Sequence, residues 1–251
     1  MMKSAPERKL WNFPTMVCVG CTIMPFVAVH GAFFISASFE FVNWCNPYWD
    51  SCTSISATGR RAPASYWFRG LMLPVAMLMI VYWWLHWSLL RNLGQRGARS
   101  NTMFACGVAA CVGLAAYVTV LGEIGDLWRL QRRIGAILFF SLTFLGQLLL
   151  ASGLRSTLDS PTAEKKIPAV VWSVGNRLLR ICQLLLLIGI VSVLVQLYDE
   201  ALHDNVEDAI EWQLALLLQI NFMFTVALWW RPWWNPLGGA VRGTRWPNSP
   251  H

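Results

Sequence analysis

Six apolar runs, each about 20 residues long, recur along the chain at roughly 15–38, 68–90, 102–122, 134–154, 177–197 and 209–230. A run of that length crosses the hydrocarbon of a bilayer as a helix. Lipid offers the backbone no hydrogen-bond partners, so an open strand cannot take its place. Charged residues make up 13% of the 251, about half the share of a soluble domain. The sequence therefore predicts an all-α, polytopic membrane protein: one bundle of six transmembrane helices, a single domain over 1–251, with no repeat or linker to divide it. The first run follows basic residues, as a signal peptide does. It is longer than a signal core and has no A-x-A site near its end, so it is expected to stay as the first span.

Lysine and arginine set the expected orientation. Fourteen fall on the N-terminus, the second and fourth loops and the tail, against six on the other side (Arg60, Arg61, Arg69, Arg129, Arg132 and Arg133). By the positive-inside rule both termini are expected in the cytoplasm, with loops 1, 3 and 5 outside. The net charge of +7 then belongs to topology and to the inner lipid surface. It requires no nucleic acid.

Other familiar chemistries are excluded. No span contains a lysine for a retinal Schiff base, and none carries the spaced arginines of a voltage sensor. Neither a phosphate-binding G-x-x-x-x-G-K-[ST] nor a metalloprotease H-E-x-x-H occurs. His30 and His86 are the histidines within spans, and they lie at opposite ends, so they cannot pair on a haem. His30 is expected to face the bundle interior, bonded to a carbonyl or lining an outward pocket. His86, among Trp83, Trp84 and Trp87, is expected at the interface. Trp11, Trp44, Trp67, Trp172, Trp229, Trp230, Trp233 and Trp234 fall at span ends, as interfacial anchors do. Pro25 and Pro74 lie inside spans and are expected to kink them or to leave carbonyls for a neighbour to satisfy.

Cys18, Cys21, Cys106, Cys111 and Cys182 sit in apolar runs, where cysteine acts as a small hydrophobe. The C-x-x-C of Cys18 and Cys21 lacks further ligands at zinc spacing, and no metal is expected. Cys45 and Cys52 share an outside loop and are expected to form a disulfide around Asn46–Ser51.

Polar chemistry gathers on the outer side. Loop 1 brings Asp50, Ser54, Ser56, Thr58, Gly59 and Arg60; loop 3 brings Asp126, Arg129, Arg132 and Arg133; loop 5 brings Glu200, His203, Asp204, Glu207 and Glu211. The loop-5 residues recur every three or four positions and would share a helix face. That face is read in three ways: a solvated helix start suited to the dipole, an ion-pair surface for the loop-3 arginines, or a metal or acid–base site on His203.

The "SISATG" of Ser54–Gly59, the "RRIGAILFF" of Arg132–Phe140 and the "EW" of Glu211–Trp212, set in this order of six spans, resemble one family. It is the six-span family of the damage-regulated autophagy modulators and the GPI-anchor lipid-remodelling proteins, related to the N-terminal part of fungal cell-wall and ceramide-remodelling proteins. The resemblance covers about residues 10–232. The family pattern I-S-D-x-G is met by Ile55, Ser56 and Gly59, with Ala57 where the acid is expected. The pattern H-x-x-G-A is met by Gly135 and Ala136, with Arg132 in place of the histidine. The resemblance implies lipid handling, and the two departures remove its most reactive side chains.

Three functions follow as expectations. The first is a non-catalytic protein that binds lipid in an outward-facing polar pocket, without a cofactor, its head group held by Ser56, Thr58, Gly59, Arg60, Asp126, Arg129, Arg132, Glu211 and His30. The second is a lipid hydrolase or acyltransferase, with Ser54 or Ser56 as nucleophile and His203 or His30, beside a carboxylate such as Glu207, as base. The third is an accessory subunit that docks a membrane-protein partner through the aromatic C-terminal end, Trp229–Pro236. A plasma or bacterial inner membrane is the expected location.

Overall fold

The computed structural model describes residues 12–157, 169–198 and 200–230, with the side chains of 196, 198 and 200–205 outside the description. The described elements are helical: α1 (Phe13–Ser38), α2 (Ile55–Thr58), α3 (Ala64–Asn92), α4 (Ala98–Thr119), α5 (Asp126–Ser156), α6 (Ala169–Tyr198) and α7 (Glu200–Trp229). All but α2 are long and apolar enough to cross a membrane. The protein is an integral membrane protein built as a helical bundle.

All six long helices outrun the apolar runs at one end or both. Helix α5 begins eight residues before residue 134, and α7 begins nine before residue 209. Hydropathy measures the hydrocarbon thickness, whereas a helix continues into the polar flank as long as its backbone bonds can. Asp126 in the first turn of α5 suits the positive end of that helix.

Each long helix packs on the next, α1 on α3, α3 on α4, α4 on α5, α5 on α6, α6 on α7, and α7 returns to α1. The result is a closed ring. At α1's start, Asn12 caps the helix by accepting from the Thr15 N–H (3.0 Å), and both side chains donate to the Trp229 carbonyl at the end of α7. Pro14 occupies the first turn of α1, where a missing N–H costs nothing.

The ring is filled at one end and open at the other. At the filled end Trp83 is fully buried, and a Cβ on Gly107 of α4 or on Gly146 of α5 would lie 2.3 and 2.8 Å from its ring. Glycine there lets three helices close on one indole. Gly113 and Gly135 bring α4 and α5 equally close, each facing the other's carbonyl; the glycine of the "RRIGA" stretch is thus a packing residue.

His86 is not interfacial. It is fully buried, its Nδ1–H donates to the Tyr82 carbonyl (2.8 Å), and its Nε2 accepts from the Trp229 indole (3.3 Å). Trp229 is itself 2% exposed, so it is no lipid-facing anchor. Both lie near a span end, yet the closed ring encloses them. Trp44, Trp67, Trp172 and Trp230 are exposed, as anchors are; Trp11, Trp233 and Trp234 lie outside the described residues.

Candidate functional site

The open end carries the Cys45–Cys52 disulfide, and this disulfide end is built from loop 1 downward. Ser54 caps α2 by accepting from the Ala57 N–H (3.2 Å), which turns the chain inward under the loop. The start of α7 then holds the loop in place. The Trp212 indole donates to the Thr53 carbonyl (2.8 Å), the Gln213 amide donates to the Tyr48 carbonyl (2.9 Å), and the Ala209 N–H donates to Ser51 Oγ (3.3 Å). The Glu211 carboxyl group comes up beside the Ile55 backbone N–H at the start of α2. "Glu-Trp" therefore joins α7 to loop 1. Loop 3 reaches the same place: Gly122 (φ +98°) sits so close to the Arg60 carbonyl that a Cβ would lie 2.6 Å from it, a position and conformation that only glycine fills without strain.

Beneath this cover lies a cavity of about 1090 Å³, lined from α1 through α7. Its volume is at the upper end of small-molecule sites, which run to roughly 1,000 Å³. The deep part is apolar, with Met72, Met79, Leu114, Phe139, Leu218 and Phe222 on its walls. The mouth is charged: Arg60, Arg129, Arg132 and Arg133 on one side, Glu207 and Glu211 on α7.

The mouth's side chains are oriented by local bonds. Arg132 Nη1 donates to the carbonyls of Glu123 (2.7 Å) and Val120 (3.3 Å), and Arg60 Nη2 reaches Ser56 Oγ at 3.4 Å. Arg129 pairs with Asp126 at 3.9 Å, but both side chains are largely exposed, and such a pair contributes little. His30 lines the cavity with both nitrogens engaged: Nδ1–H donates to the Phe26 carbonyl (2.8 Å), which leaves Nε2 to accept from the Tyr48 hydroxyl (2.9 Å). Burial pushes the Tyr48 phenol above its ordinary value, so it stays the donor in that bond.

The structure brings together Ser56, Arg60, Arg129, Arg132, Glu207, Glu211 and His30 on one cavity. Three of the residues expected at a head group stand elsewhere. Thr58 is buried, its hydroxyl donating to the Ile55 carbonyl (2.7 Å) and its carbonyl accepting from Ser36. Gly59 packs against Leu121 and Phe68. Asp126 turns to Arg129 at the surface. Thr58 and Gly59 end the one-turn helix α2, whose last turn is satisfied and packed by them, and Asp126 opens α5 beside the arginine it pairs with. The His203 side chain lies outside the described residues, and with it the metal or acid–base reading. Among the described residues no three His, Cys, Asp or Glu side chains come together as metal ligands would. Ser56 Oγ has Ser54 Oγ (3.2 Å) and Arg60 as its hydrogen-bond partners, not a histidine.

The family model described as the Frag1/DRAM/Sfk1/Cwh43P N-terminal domain matches residues 14–230. The chain belongs to this family. The match runs from α1 to the residue after α7, so the whole ring is the family's domain. No curated protein and no solved structure matches the chain. Within this Frag1/DRAM-type ring the two departures from the family pattern now have places. Arg132, at the histidine position, lines the cavity mouth. Ala57, at the acid position, sits in the third residue of α2 with its N–H taken by Ser54.

Gln219, Tyr48 and Tyr117 also line the cavity and went unnoticed in the sequence. Gln219 carried a readable signal, an uncharged polar side chain in the middle of an apolar run, which marks the bundle interior. The two tyrosines carried none.

Proposed function

We propose that the protein holds a membrane lipid, head group at the disulfide end and acyl chains in the apolar depth, and that it does so without chemistry on the lipid. The supporting observation is the cavity itself: about 1090 Å³, within a membrane domain, arginine-lined at one end and hydrocarbon-lined below. Guanidinium groups pair with phosphate oxygens through two parallel bonds, and Ser56 adds a hydroxyl beside Arg60. Apolar walls accept an acyl chain for the same reason they accept one another. With the disulfide end outside, as the lysine and arginine bias predicts, the pocket opens toward the outer leaflet of a plasma or bacterial inner membrane.

A binding role suits the site better than hydrolysis. A serine nucleophile needs a base within hydrogen-bond reach, and His30 spends both nitrogens on Phe26 and Tyr48. A partner at the C-terminal aromatic end would find Trp229 already buried against His86. The test is thermal unfolding of delipidated protein in mild detergent. Added phospholipid is expected to raise the midpoint in wild type and much less in Arg60→Ala/Arg132→Ala. An identical midpoint with and without every phospholipid class would overturn the reading.

A further inference from the structure

The mouth of the cavity carries both signs of charge, and they do not close on each other. Among the described residues the ion pairs are Arg69–Glu123 and Arg129–Asp126; Arg60, Arg132, Glu207 and Glu211 make none. Yet they face one space. The Tyr117 phenol lies in the field of Glu211, Arg60 and Arg132 together, and all five residues line the cavity.

Opposite charges near a low-dielectric wall attract strongly, so holding them apart needs a reason. The arginines are held by neighbours, Arg132 by loop-3 carbonyls and Arg60 by Ser56, while Glu211 stands beside the Ile55 N–H. Each set also repels itself. Arg132 feels Arg60 and Arg129. Glu207 and Glu211 stand one turn apart on α7, with Asp208 beside them, a spacing at which like charges oppose the helix. A guest that suits both sets brings an anion to the arginines and a cation rich in hydrogen-bond donors to the glutamates.

A purely anionic lipid satisfies the arginines but sets its phosphate facing two carboxyl groups, which selects against it. A quaternary amine brings charge without an N–H for those carboxyl groups. An ammonium brings three donors. Resting on the lipid reading above, we propose that the mouth selects a phospholipid bearing a primary amine beside its phosphate, with the phosphate on Arg60 and Arg132 and the ammonium between Glu207 and Glu211.

The test uses the full chain, delipidated in mild detergent and titrated with phosphatidylethanolamine, phosphatidylcholine and phosphatidylglycerol of the same acyl chains, with bound lipid read by native mass spectrometry. Phosphatidylethanolamine is expected to bind at least tenfold tighter than phosphatidylglycerol, with phosphatidylcholine between or below. Glu207→Gln is expected to cut the phosphatidylethanolamine affinity several-fold and to shrink the preference. Glu207 is exposed and holds no part of loop 1, so this variant keeps the test readable even where Glu211→Gln, beside the Ile55 N–H, fails to fold. Equal or tighter binding of phosphatidylglycerol in wild type, or an unchanged ranking in Glu207→Gln, overturns the amine selectivity while leaving the lipid pocket standing. Failure of all three lipids to bind removes both.

Discussion

Gln219 of α7 donates its side-chain amide to the Cys21 carbonyl of α1 across 2.9 Å, and also reaches the Thr22 carbonyl. The Cys21 carbonyl lies four residues before Pro25, which has no N–H to give it. A proline inside a helix strands that carbonyl, and in a membrane no water stands ready to take it. One glutamine therefore satisfies the carbonyl that proline strands in a neighbouring helix, and both Pro25 and Gln219 line the cavity.

Gln219→Leu is accordingly expected to destabilise the bundle by roughly 1–2 kcal/mol, the cost of a stranded polar group in a membrane interior. In a Pro25→Ala background the carbonyl regains a backbone partner, and the same change is expected to cost clearly less. Reversible unfolding of the four proteins in detergent measures this coupling; additive effects would show that the two residues act independently.

The indole of Trp83 makes a second demand. Gly107→Ala places a methyl where the ring stands, 2.3 Å away, and overpacking of this kind costs about 1–3 kcal/mol. Gly70→Ala in α3 meets nothing within 4 Å and is expected to be neutral or slightly stabilising. Melting temperatures of the two variants, compared side by side, check the packing.

Trp212→Phe keeps an aromatic ring but removes the N–H that reaches the Thr53 carbonyl. The loss is expected to destabilise by roughly 1–3 kcal/mol and to loosen loop 1, read as faster proteolysis between residues 44 and 59. Cys45→Ser/Cys52→Ser is expected to loosen the same segment. Short closed loops of this size contribute on the order of 2 kcal/mol.

Much of this architecture is written in the apolar periodicity. The six spans and the disulfide follow from length, compartment and composition, each a property of a segment by itself. What the chain does not display is which segment meets which. His86 and Trp229 are 143 positions apart, and their bond depends on the ring closing between α7 and α1. Thr58 looks like a ligand in the sequence because it neighbours Ser56 and Arg60, but one turn of helix sends its hydroxyl to Ile55. The reverse holds for Gln219, whose partner exists because Pro25 made it necessary. A polar residue inside an apolar run carries a signal for the interior; its pairing carries none.

The most direct measurement of the central claim is native mass spectrometry of the full chain purified in mild detergent without added lipid. The expected result is a protein carrying one phospholipid, retained in wild type and lost or reduced at least tenfold in Arg60→Ala/Arg132→Ala at unchanged fold by circular dichroism. A bare protein in wild type, or the same lipid occupancy in the arginine variant, would contradict a lipid pocket at the disulfide end.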